Sequence, residues 1–485
     1  MNEPPPRQIK NPIFSLYAFH LRNDADKGWQ KAAENAPLMW ENLRDKAGTG
    51  LGIPELEKFQ LTTENLDLTQ ENLLSQKLSF PKPSPDKPEL HGSFAAKRIQ
   101  DAYSANLTLY YKDTTIPASE LHQFNPHNCL SGESLGVSLG VTWLLYAVPL
   151  VDDVGDNYRQ LADACVAGLT DGKKEKINPA DIYVSESQLF GSPMYEYDNR
   201  AKDTTQGYHI IIWLQRQPAT FDLLTDKFDF YLENLLLYRH KILFPYFRAQ
   251  KWYARGQVLA GELDKELANF SPQSGKDLDK LKESLAAAVH NGFEYNKCLR
   301  YLQECANTVK INRYNYQLAV TAISQMQVEG DNPQWLTSFL DLCDNKYLGQ
   351  IQGDLNYLLA GQNLFQNAID TIRGMVEIVQ VEAEKNGQTA EKERDTELNI
   401  TIATVGGAIG LGGIVATSYA LIKPEDPLLM PWHQGATTIH PFAKSVLSSL
   451  AASALVVLVV LAVLWLRKKI KNIRDNKNTP NTKKD

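Results

Sequence analysis

The stretches LNITIATVGGAIGLGGIVATSYALI at 398–422 and SVLSSLAASALVVLVVLAVLWL at 445–466 contain no Asp, Glu, Lys, Arg or His. A bilayer-spanning helix takes about 20 apolar residues and satisfies its own backbone hydrogen bonds in lipid. Each run is long enough. The sequence therefore predicts an integral membrane protein closed by a C-terminal two-helix transmembrane hairpin, with an outer loop at 423–444 and a basic tail at 467–485. Arg467, Lys468, Lys469, Lys471 and Arg474 follow the second run, whereas the loop carries only Lys423, Lys444, Glu425 and Asp426 as charges. Positive charge stays inside, so both termini are expected to be cytoplasmic, at a plasma or inner membrane. Cys129, Cys165, Cys298, Cys305 and Cys343 show no CxxC spacing and suit a reducing compartment. The opening MNEPPPRQIK carries no apolar h-region, so no cleavable signal is expected.

Working back from that hairpin, 485 residues give room for two or three folded units, and a net charge of −7 argues against nucleic acid as a partner. The expected fold class is an α/β cytoplasmic domain with long helices and a helical stalk, followed by the hairpin. The partition is a polar segment at 1–80 whose role the sequence leaves open, a connector at 81–89 with four prolines in nine residues, an α/β domain at 90–219, and helices with a stalk at 220–397. Strands are expected at 107–112, 135–148 and 208–215. In the second, Leu135, Val137, Leu139, Val141 and Trp143 alternate with Ser134, Gly136, Ser138, Gly140 and Thr142, which favours a strand over a third span.

After Pro218 the pattern turns helical. Phe228, Leu232, Leu235, Leu236 and Leu243 follow three-and-four spacing, with Pro245 expected to kink or end the helix. Further helices are expected at 278–309 and 313–326. Leu355, Leu358, Phe365, Ile369, Ile372, Val376 and Val379 then occupy heptad positions, interrupted by Gln362. One helix running on into the first span as a stalk is the expectation; two helices hinged at Asn386-Gly387 is the alternative, because Gly361, Gly374 and that pair weaken a helix.

At about 100° per residue, Asn399, Gly406, Gly410, Gly413 and Thr417 share one narrow face of the first run, suited to close helix packing or to lining a pore. Glu425 and Asp426 in the loop are candidates for cation capture. No catalytic residues are assigned. The overlapping GxSxG matches at Ser134 and Ser138 lack the strand-then-helix context of a nucleophile elbow. His122, His127 and Cys129 do not fit a closed zinc site. Arg239, Lys241, Arg248, Lys251 and Arg255 read as a solvated helix face.

An α/β domain, long helices, a stalk entering the first of two C-terminal spans and a Lys-rich end together resemble the CorA-type magnesium transporter superfamily over about residues 208–471. The resemblance implies a homo-oligomer in a lipid bilayer, a pore lined by the first span, and a divalent cation such as magnesium; the residues themselves define no cofactor. The family's Gly-Met-Asn motif has no counterpart, since Ser418-Tyr419-Ala420-Leu421-Ile422 stands at that place. The functional expectation is a CorA-like channel or transporter gated by its cytoplasmic domain. The alternative is a membrane-anchored sensory or interaction module without transport.

Overall fold

A computed structural model of the chain describes residues 7–23, 32–59, 72–80, 88–150, 156–171, 177–201, 203–268 and 278–385. The contacts divide into two units, residues 1–248 with 305–351 and residues 249–304 with 352–485.

The first unit is built on a nine-stranded mixed sheet. Its strands are β1 (Gln8–Leu21), β2 (Asn72–Leu78), β3 (Leu90–Ile99), β4 (Ala102–Tyr111), β5 (Thr115–Pro117), β6 (Gly140–Pro149), β7 (Tyr183–Leu189), β8 (Ser192–Asp198) and β9 (His209–Leu214). They lie in the order β2-β3-β4-β1-β6-β9-β8-β7, with β5 paired to β1. Among the described residues only β6 and β9 pair in parallel. β1 takes a central place, opposing β4 at Leu16–Leu107 and β6 at Leu16–Trp143. Its register shifts between Lys10 and Ile13. Asn11 makes that shift with φ 51°, a left-handed geometry that Asn tolerates, and its side chain accepts from the Thr114 amide at 3.2 Å.

Period-two alternation gives this sheet two different faces. Phe14, Leu16 and Ala18 of β1, Trp143 and Leu145 of β6, and Ile210 and Ile212 of β9 point into one apolar core. Met39 and Trp40 of α1 (Leu38–Asn42) cover it, together with Leu161, Cys165 and Leu169 of α2 (Asp156–Leu169). Phe14 stacks on Phe124 at 5.8 Å and Trp40 meets Tyr103 edge-on at 5.5 Å. The intervening residues, among them Ser15, Tyr17, Ser104, Thr142, Glu196 and His209, form the opposite, polar face, and they too are buried. Beyond the sheet come α3 (Asp229–Ala268), α4 (Leu278–Ser324), α5 (Gln334–Leu342) and α6 (Gly349–Lys385).

Among the described residues no helix is long and apolar enough to cross a membrane. This corrects the expected fold class that ended in a transmembrane hairpin, the placement in a plasma or inner membrane, and the reading of a membrane-borne, CorA-like ion-transport protein. The reason is charge. α4 carries Lys280, Lys282 and Glu283 in its opening turns, and α6 spaces Asp354, Asp370, Arg373 and Glu377 along its length. A charge at mid-bilayer costs about 2.5–3.5 kcal/mol. The runs at 398–422 and 445–466, the outer loop, the basic tail, the Asn386-Gly387 pair and the connector at 81–87 lie outside the described residues.

Three local expectations also change. The alternation from Leu135 does not begin a strand: Gly132–Leu135 is one helical turn, Gly136 adopts φ 64°, and β6 starts at Gly140. Pro245 neither ends α3 nor splits it, because Ile242, Tyr246 and Ala249 on either side are buried and offset a cost of about 3 kcal/mol. The helices expected at 278–309 and 313–326 are the single helix α4.

In the second unit, residues 249–268 of α3 pack with the first part of α4 and with α6. Leu355, Leu358, Phe365, Ile369, Ile372 and Val376 are buried. Trp252 stacks on Tyr301 at 4.2 Å, and Tyr295 donates to the Leu358 carbonyl at 2.7 Å. Gln362, the polar interruption of the heptad, donates to Asn296 Oδ1 at 2.7 Å. Gly361 lies under Tyr295, where a Cβ would come within 2.2 Å of the phenol oxygen.

Candidate functional site

The polar face of the sheet is covered by the first half of α3. Asp229, Glu233 and His240 recur at spacings that place them on one side of a helix, and Arg239 and Lys241 flank that row. Tyr17 donates to Asp229 Oδ1 at 2.6 Å, and Ser104 donates to Glu233 Oε1 at 2.6 Å. Lys97 pairs with the same Glu233, Lys241 with Asp101, and Arg239 with Asp198. Polar pairs thus tie strands β1, β3, β4 and β8 to one helix, beside buried Leu232 and Leu236 and the Phe19–His240 ring contact. Burial of such groups costs several kcal/mol unless each is paired, so the interface tolerates little displacement.

At the β6, β8 and β9 end these contacts become a chain of four side chains. His209 Nε2 lies 3.2 Å from Glu196 Oε1, His209 Nδ1 lies 2.9 Å from Thr142 Oγ1, and that hydroxyl lies 3.0 Å from His240 Nε2. Glu196 Oε2 accepts from Ser185 at 3.0 Å, and Arg239 stands 3.8 Å from Oε1. Burial pushes the Glu196 carboxyl up from its usual range, with Arg239 opposing. Burial and then Arg239 hold His209 well below the ordinary histidine value, and His240 likewise, with His209 as a further cause. The adjoining cavity, of about 40 Å³, is lined by Asp198, Arg200, Thr204, His209, Arg239, His240 and Tyr347 among others. It has room for a few water molecules.

The residues singled out from the sequence fall elsewhere. Asn399, Gly406, Gly410, Gly413, Thr417, Glu425 and Asp426 lie outside the described residues. Ser134 donates to the Asn128 carbonyl at 2.9 Å, and Ser138 accepts from the Leu21 amide at 2.8 Å, so both hydroxyls serve the backbone. His122 is engaged by the Ser119 carbonyl at 2.8 Å, and burial pushes the Cys129 thiol up to about 12. Among the described residues no group of His, Cys, Asp and Glu could hold a metal ion. Arg239 and Lys241 are buried against the sheet instead of lying on a solvated face, while Lys251 and Arg255 are exposed.

Glu196 and His209 went unmarked in the sequence, although a signal was there. In Met194-Tyr195-Glu196-Tyr197-Asp198 the tyrosines and the acids alternate, which sends both carboxylates to the face opposite the aromatics.

A second surface stands out on α6. Tyr357, Leu364, Met375 and Ile378 are exposed, Tyr357 at 74% and Ile378 at 61%. At about 100° per residue they form an outer row well away from the buried heptad row. Tyr357, Leu364 and Ile378 are separated by multiples of seven.

No protein-family model, no curated protein and no solved structure matches this chain.

Proposed function

We propose that this chain is an interaction module that assembles with copies of itself through the outer row of α6. The observation that carries the reading is the seven-residue spacing of exposed Tyr357, Leu364 and Ile378 on a helix whose other side is already filled. Such spacing presents three apolar side chains to a second helix, with Thr371 at the intervening seven-residue position. A seam running from Tyr357 to Ile378 is about 30 Å long at 1.5 Å per residue. A non-catalytic role is supported by the burial of Glu196, His209 and His240.

Cysteine cross-linking tests the reading. All five native cysteines are buried, so Leu364→Cys introduces a uniquely accessible thiol. Under mild oxidation the full chain carrying it is expected to form disulfide-linked dimers, and a cysteine at the exposed Lys251 is not. Equal cross-linking at both positions, or none at Leu364→Cys, contradicts the reading.

A further inference from the structure

The cavity beside His209 and His240 is lined by two arginines and one carboxylate, Arg239, Arg200 and Asp198. Arg239 is buried, and among the described residues its Nη2 alone has partners: Asp198, and Glu196 Oε1 at 3.8 Å. Its Nε is shut away from solvent with no acceptor, and a buried donor left unmade is unfavourable. Arg200, just after β8, is exposed. Its backbone amide donates to Asp198 Oδ1 at 2.6 Å, and among the described residues its guanidinium has no ion pair. Tyr347 adds a phenol close enough to Arg239, Asp198 and Arg200 to feel their charges. Glu196 does not line the cavity, so the lining sets two guanidinium charges against the single carboxylate of Asp198.

We propose that this cavity binds a small oxyanion, a carboxylate group or inorganic phosphate, with Arg239 as buried anchor, Arg200 as outer clamp and Tyr347 as neutral donor. A guanidinium offers several N–H donors in one plane, which matches the oxygens of a carboxylate or phosphate. Asp198 holds Arg239 by Nη2 and leaves the other nitrogens for a ligand, so the donor is oriented before the anion arrives. Leu139, Val141, Leu243 and Phe247 form apolar walls, and a charge-assisted bond gains strength where water is excluded. A volume of about 40 Å³ holds a few water molecules, which an oxyanion group would displace. Every residue named here belongs to the first unit, so the site is independent of self-association through α6.

Isothermal titration calorimetry of the full chain with sodium acetate and with sodium phosphate, against sodium chloride at matched ionic strength, tests the site. Saturable binding of acetate or phosphate is expected, and the salt that gives it tells a carboxylic acid from free phosphate as the source. Arg200→Gln keeps the Arg239–Asp198 pair and is expected to weaken binding about tenfold. Tyr347→Phe is expected to weaken it by a smaller factor, and Lys10→Gln, an exposed charge outside the cavity, to leave it unchanged. No saturable binding of either oxyanion, equally tight binding of chloride, or an Arg200→Gln affinity no weaker than that of Lys10→Gln overturns the proposal.

Discussion

His209 Nε2 and Glu196 Oε1 face one another at 3.2 Å across neighbouring strands, and both residues are buried. Together with Thr142 they join three strands of the sheet to His240 on α3. Polar complementarity, not shape alone, thus sets where this helix lies on the sheet.

The buried histidines give stability a definite pH dependence. Burial lowers His20, His209 and His240 in the folded protein. The His20 tautomer is fixed by the Ser138 amide donating to Nδ1 at 3.1 Å and by the Asn35 carbonyl facing Nε2 at 2.9 Å. Below about pH 6.5 the unfolded chain binds protons that the folded chain refuses, so stability is full above that pH and falls as pH drops. Each histidine contributes up to about 1.4 kcal/mol per pH unit. Glu196, raised by burial, works in the opposite sense above about pH 4.3, because there the folded state holds a proton that the unfolded state releases. Urea titrations between pH 5 and 7 are expected to show a steeper acid loss in Glu196→Gln than in the wild type.

Glu233 is the buried anion of the interface, with Ser104 and Lys97 as its donors. Glu233→Ala leaves Lys97 without its counter-ion and Ser104 without its acceptor, and is expected to cost about 3 kcal/mol in chemical denaturation. A loss below about 1 kcal/mol, the level of an exposed pair, would mean that this contact is solvated.

Two glycines of α6 should respond in opposite directions to the same change. At Gly361 a methyl group meets the Tyr295 phenol, which is buried and bonded to Leu358, so Gly361→Ala is expected to destabilise by about 1–3 kcal/mol. At Gly374 nothing lies within 4 Å of a new Cβ, and Gly374→Ala is expected to stabilise by about 0.5–1 kcal/mol. Thermal unfolding of both variants checks the contrast.

The thiols should be inert in the native state. Burial pushes Cys165 and Cys343 up to about 12 and Cys298 up to about 11, and the reactive species is the thiolate. Alkylation of the native chain at pH 8 is expected to label none of the five cysteines, and unfolding in denaturant to expose all of them.

Legibility followed periodicity. The strand at His209–Leu214 and the buried heptad row of α6 could be read directly, because His-Ile-Ile-Ile-Trp-Leu is a short, β-branched apolar run and the Leu355–Val376 spacing matches the heptad. β1 was not read, although Phe14, Leu16 and Ala18 alternate with Ser15, Tyr17 and Phe19: a polar, Pro-rich beginning masked a strand whose outward residues are buried under a helix. The same burial hid the site. Arg239, Lys241 and Glu233 resemble solvent-facing charges until their partners, Asp198, Asp101 and Ser104, are known, and those partners are more than forty residues away in the chain. Pairing of this kind is a tertiary fact with no local pattern. Gly361 and Gly374 were equal penalties in the sequence; only the neighbouring Tyr295 separates them.

Self-association through the outer row of α6 is tested most directly by sedimentation equilibrium of the full chain over a range of concentrations. The wild type is expected to run at a multiple of the single-chain mass, and the Leu364→Asp, Ile378→Asp double variant at the single-chain mass with an unchanged circular dichroism spectrum. A wild type that sediments as one chain at every concentration, or a double variant that associates as strongly as the wild type, would contradict the account.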